Sequence, residues 1–105
     1  MLEPTKKDWK LFREKIPDWQ ENYMERLVEQ YSAFLSEDLP ASTKFWELEK
    51  RIHNDKKSPG VCIDLRRSTM IWNVAALVRD GVINFDDLEE FSEELKETIR
   101  FILER

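Results

Sequence analysis

RDGVINFDDLEEF, residues 79–91, is the stretch on which the reading of this chain turns. It has the outline of the back half of a calcium-binding EF-hand loop. Placing Gly81 at the sixth of the twelve loop positions puts Ile83 at the eighth, where an apolar residue belongs. The first and third positions then fall on Ala76 and Val78, which carry no ligating oxygen. Asp80 alone ligates from the front half, and the twelfth position holds Asp87 instead of the bidentate glutamate. Calcium takes six to eight oxygens, so the segment does not make a calcium site.

Helix punctuation accounts for the same letters. Gly81 suits the left-handed residue just past a helix end. Asn84 is an N-cap, with Asp87 three residues on as its capping-box partner. Ile83 before the cap and Leu88 inside the next helix form a hydrophobic staple. Asp86, Asp87, Glu89 and Glu90 sit where a helix dipole is positive. The stretch is a stop, a turn and a start between two antiparallel helices.

Working outward, the spacing predicts five helices. The first follows Thr5 and carries Trp9, Phe12 and Ile16. Pro17 favours a helix start over a helix interior, so a break is expected there. A second helix then runs to about Glu37 with Trp19, Tyr23, Leu27, Tyr31, Phe34 and Leu35 on a wide apolar stripe. A third, from Ser42 or Thr43 to about Asp55, is expected to bury Phe45, Leu48 and Ile52, with Trp46 off that stripe. NDKKSPG, residues 54–60, is an interior loop. A fourth helix is expected from about Val61 to Asp80, although VCIDL at 61–65 alternates and also reads as extended. A fifth starts at Phe85 and buries Leu88, Phe91, Leu95, Ile99 and Ile102. The expectation is one all-α domain over residues 1–105, a compact four- to five-helix bundle.

Composition narrows the function classes. In 105 residues, 37% are charged and 11% aromatic, with two glycines and four prolines. Such a chain folds, and it favours long solvated helices. No apolar run approaches the roughly 20 residues that cross a bilayer. The N-terminus lacks an apolar signal core, and a single cysteine, Cys62, forms no intrachain disulfide. A reducing cytoplasm is the expected setting.

No reaction centre is legible. His53 is the sole histidine, and a zinc site needs three or four ligands. Cys62 with Arg66 four residues on could make a reactive thiol, but small apolar filler at a helix start fits better. The carboxylates Glu89, Glu90, Glu93, Glu94 and Glu97 read as a solvated face, and two glycines do not build a phosphate loop. We expect no enzyme, metal or cofactor.

Charge and aromatics suggest an interaction protein instead. The net charge is −5, the wrong sign for a nucleic-acid binder. It is unevenly spread: residues 18–39 carry one basic and six acidic groups, residues 40–67 seven and four. Complementary packing within the bundle explains this. So does a basic patch, Lys50, Arg51, Lys56, Lys57, Arg66 and Arg67, that meets an acidic partner. Trp46 and Trp72 lie off the centre of their stripes and are candidate anchors. The leading expectation is a protein-docking module, with a homodimer as one form of it. The alternatives are a regulator contacting nucleic acid through residues 50–67 and a small-ligand binder with an interhelical pocket.

DWKLFREKIPDWQENYMERL (8–27), followed by KFWELEKRI (44–52) and PGV (59–61), resembles a group of short bacterial proteins of unknown function. The likeness runs over nearly the whole chain. Some of that group are labelled multidrug transporters, which the charged fraction contradicts. The resemblance implies a helical bacterial protein and assigns no residue a role.

Overall fold

The computed structural model describes residues 3–104, and every regular element among them is helical. Four α-helices form: α1 (Lys6–Leu35), α2 (Ala41–Asp55), α3 (Met70–Arg79) and α4 (Glu93–Leu103). Single 3-10 turns precede α3 at Arg67–Thr69 and lie at Phe85–Leu88. The all-α expectation of four to five helices holds.

The stop–turn–start at 79–91 forms as its letters require. Gly81 has φ 74°, inside the left-handed region. Its N–H donates to the Val78 carbonyl, and Val82 N–H donates to that of Leu77. This pair of bonds is a Schellman ending, and it satisfies carbonyls the helix leaves open. Beyond it, Asp87 N–H donates to Asn84 Oδ1 at 3.1 Å, and Asn84 N–H to Asp87 Oδ2 at 2.8 Å. Ile83 and Leu88 are both buried. The side chains an ion would need are thus closing a capping box.

Three expected boundaries are corrected. The first two predicted helices are one helix of 30 residues that passes through Pro17. Pro17 is exposed, so its ring meets water, and packing on both sides keeps the helix running. The predicted fourth helix does not begin at Val61: residues 62–66 are irregular and α3 starts at Met70. Asn73 and Thr69 side chains hydrogen-bond the Asp64 carbonyl and hold this segment in its non-helical path. The predicted fifth helix is split. Its capped start lasts one 3-10 turn, and α4 restarts at a second cap, Ser92, whose Oγ accepts from Leu95 N–H at 3.2 Å.

Side-chain contacts trace the path. Tyr31 hydrogen-bonds Asp55, Gln20 reaches the Pro59 carbonyl at 3.1 Å, and Arg67 reaches the Pro4 carbonyl at 2.9 Å. So α2 and the segment after it run back along α1. α3 then rises until Arg26 of α1 grips the Gly81 and Val82 carbonyls at 3.1 and 2.9 Å. The chain descends again past Trp19, whose ring faces Phe91, and past Lys15, which pairs with Glu90. It reaches Asp8, where Ser92 starts α4.

The core is the product of that winding. Phe12 and Ile16 of α1, Met70, Ile71, Val74 and Leu77 of α3, Val82, Ile83, Leu88 and Phe91 of the connection, and Leu95, Ile99 and Ile102 of α4 are buried together. This core reaches along α1 to Tyr23, which packs against it, and to Arg26, which binds its edge. The last turns of α1 pair with α2 as an arm beyond it, and the molecule measures 52 × 28 × 22 Å. The radius of gyration is 16.4 Å, where about 13 Å is usual at this length.

Candidate interaction surface

Phe45 and Ile52, expected in the core, are 63% and 40% exposed, and Leu48 is half-buried. No residue of α2 is buried. This corrects the expectation for the third predicted helix, and the reason is geometric. The helix is amphipathic and does form, but among the described residues α1 is the one element that packs against it to any extent. Arg51 lies over the Phe34 ring at 4.1 Å, and Asp55 accepts from the Tyr31 hydroxyl. These contacts, with Phe34 and Leu27 buried beneath, use one edge of α2. The face bearing Phe45, Leu48 and Ile52 is left open.

α1 continues that open face. Met24, Val28, Tyr31 and Leu35 step by four, three and four residues and fall within an arc of about 60°. Val28 is 60% exposed, and Met24 and Leu35 are exposed beside it. Between the helices runs an open-sided groove of about 250 Å³, lined by Met24, Leu27, Val28, Tyr31, Ile52 and Val61 with Asp55 and Lys56 at its edge. Its wall is almost entirely carbon. Together the exposed apolar groups of the arm amount to several hundred Å², at the upper end for a free monomer.

The polar rim is asymmetric. Glu21 and Glu25 border the stripe on α1, and Lys56 and Lys57 follow the end of α2. All four are exposed, and none is in an ion pair among the described residues. Tyr31 sits at the seam. Burial, then its hydrogen bond to Asp55 and the nearby carboxylate charge, push the phenol up from 10.0 to about 12.

The sequence-predicted site residues do not form one patch. Lys50 is exposed on α2, and Arg51 is spent on Phe34 and on an i,i+4 pair with Glu47 at 3.4 Å. Arg66 pairs with Asp64 at 2.9 Å. Arg67 is half-buried against Pro4, at the far end of α1 from Phe34. Those ends lie roughly 45 Å apart on a helix of this length. The basic stretch 50–67 is therefore strung along the molecule. Trp46 is 65% exposed, edge-on to Phe45 at 4.9 Å. Trp72 is also exposed, but on α3 in the core half of the molecule, away from the arm.

Sequence reasoning missed Met24, Val28 and the open face of α2. One signal was present. Residues 23–35 carry apolar groups on two adjacent stripes, 23/27/34 and 24/28/35, with Tyr31 between them. That band is wider than one packed neighbour covers.

Comparison with known proteins adds no constraint: no family model, no curated protein and no solved structure matches the chain. Among the described residues no helix is long and apolar enough to cross a membrane. Nor do three His, Cys, Asp or Glu side chains gather there as a metal ion would need.

Proposed function

We propose that this chain is a non-enzymatic protein-interaction module, and that the arm built from α2 and the second half of α1 is its docking element. One observation carries the reading: α2 is amphipathic yet buries no residue, so its apolar face is folded and open. Water contact with such a face is unfavourable, by about 25 cal/mol per Å² of apolar area, and covering it with another protein releases that cost. A groove between two helices flanked by charged rims takes an amphipathic helix in the manner of helix-in-groove recognition. At about 250 Å³ the groove is smaller than the roughly 300–1,000 Å³ of ordinary small-molecule sites, which favours side chains from a protein as its filling.

The partner is a protein, and a second copy of the chain belongs to that class. A bacterial cytoplasmic setting, with Cys62 a free thiol, fits the likeness of residues 8–27, 44–52 and 59–61 to short bacterial proteins.

The test is a double substitution, Val28→Asp with Phe45→Asp, which charges both walls of the open face without touching the core. Immobilised wild-type chain retains a defined partner from an extract of the source organism, and the variant loses it while its circular dichroism stays helical. Equal retention by both proteins would refute the reading.

A further inference from the structure

We propose that the open face of the arm is covered by the same face of a second copy, so that two α1–α2 hairpins close into an antiparallel four-helix bundle. This rests on the docking reading above and names the occupant.

The argument starts from how helical hairpins are stabilised. Two amphipathic helices side by side bury only the edges they share, and a second pair packed on their open faces encloses a four-helix core. The arm supplies two helices with matching open stripes, Met24, Val28, Tyr31 and Leu35 on one and Phe45, Leu48 and Ile52 on the other. A second hairpin of the same length and shape supplies the missing pair. A stable interface buries roughly 800 Å² on each partner. The apolar stripes provide several hundred of these, and the charged rims lie where the remainder would fall.

Charge selects the arrangement. A two-fold axis parallel to the helices lays α1 of one copy against α2 of the other, residue for residue at the height each pair already holds within the chain. That height is known: Tyr31 stands level with Asp55, Phe34 with Arg51, and Tyr23 with Gly60. Those levels place Lys56 and Lys57 beside residues 28–30 of α1, about one turn from Glu25, so Glu25 of one copy lies within reach of Lys57 of the second, and the two-fold repeats the contact. The contact is self-complementary, as a two-fold interface requires. The other in-plane axis would set α1 antiparallel on α1 and α2 on α2, which separates Glu25 from Lys57 and leaves both without an opposite charge. An acidic and a basic rim thus complement each other between copies, and Glu25, Lys56 and Lys57 have no ion-pair partner among the described residues.

Sedimentation equilibrium on the full chain reads the result. Wild type is expected at twice the 12.7 kDa chain mass, and Val28→Asp with Phe45→Asp at the chain mass with unchanged helicity. Two charge-reversed proteins then test the pairing: Glu21→Lys with Glu25→Lys, and Lys56→Glu with Lys57→Glu. Each alone brings like charges together at both contacts and should weaken self-association by about tenfold or more. Mixed in equal amounts they form a heterodimer with every contact opposite in sign, and association returns. A wild type that sediments as a monomer overturns the proposal. So does a dimer indifferent to both charge reversals, or a mixture no tighter than its components. If the wild type is monomeric yet the apolar double variant still loses a partner from extract, this inference fails and the docking reading survives; if that variant loses nothing, both fail.

Discussion

The carboxylate of Asp8 accepts two hydrogen bonds from Ser92, 84 residues away: from its backbone N–H at 3.0 Å and from its hydroxyl at 2.5 Å. Asp8 is 2% exposed, so both bonds are made out of water. The same Ser92 oxygen accepts from Leu95 N–H and starts α4, while Asp8 N–H is capped by Thr5 Oγ at 3.1 Å. Two helix N-termini are locked together through one pair of side chains.

Ser92→Ala removes the cap of α4 and a charge-assisted bond to a buried carboxylate at once. A cap contributes about 1 kcal/mol, and a bond to a charged group about 1.5–3 kcal/mol. The expected loss is roughly 2–4 kcal/mol, read as a lower urea midpoint with an unchanged m-value. A loss below about 0.5 kcal/mol, the size of an ordinary surface substitution, would show that the Asp8–Ser92 lock does not hold the helices.

Tyr31 makes the arm sensitive to alkali. Its phenol is pushed up from 10.0 to about 12 by burial first, then by the Asp55 hydrogen bond and charge. The folded state therefore holds the proton more tightly than the unfolded chain. This stabilisation is complete below pH 10 and is lost as pH rises from about 10 to about 12. In a Tyr23→Phe background, phenolate absorbance should titrate near 12. Asp55→Asn should move it part of the way back, since burial remains. Titration at 10 with Asp55 intact would contradict the seam contact.

Gly60 is placed for a close approach. A β-carbon there would lie 2.3 Å from Cδ2 of the Tyr23 ring, whose outer face carries Arg26 at 5.1 Å. Gly60→Ala must displace the ring or the Pro59–Val61 turn, and overpacking of this kind costs about 1–3 kcal/mol. Adding Tyr23→Leu should recover part of the loss, a non-additivity that chemical denaturation can measure. If the double variant is as unstable as the sum of its singles, the steric explanation is wrong.

Pro17 is a defect the fold tolerates. A proline inside a helix costs about 3 kcal/mol, and restoring a flexible residue returns up to about 1 kcal/mol of unfolded-chain entropy. Pro17→Ala should stabilise the protein by about 2 kcal/mol, seen as a higher melting temperature. No gain would mean that α1 bends at Pro17 to suit its neighbours.

Local chemistry explains which features were legible beforehand. The Gly81 ending and the Asn84–Asp87 box depend on residues within a few positions of one another, and they form as read. The helical class and the apolar faces of α3 and α4 follow from periodicity alone. Pro17 misled because its penalty is local, whereas the packing that outweighs it comes from residues 59–91. The split at Ser92 was invisible because its reason, Asp8, lies at the other end of the chain. Phe45 and Ile52 show the remaining limit. Their spacing reveals that α2 has an apolar face, but not whether anything covers it.

By itself, then, the order of residues determined the Gly81 stop, the turn after it and the Asn84–Asp87 cap, since those choices are made by hydrogen bonds and steric limits spanning three to five positions. Tertiary structure alone decided that α1 runs unbroken, that the basic stretch 50–67 is dispersed along it, and that the arm stands outside the core. Burial is a property of pairs of distant surfaces, and a stripe of apolar residues carries no record of its partner.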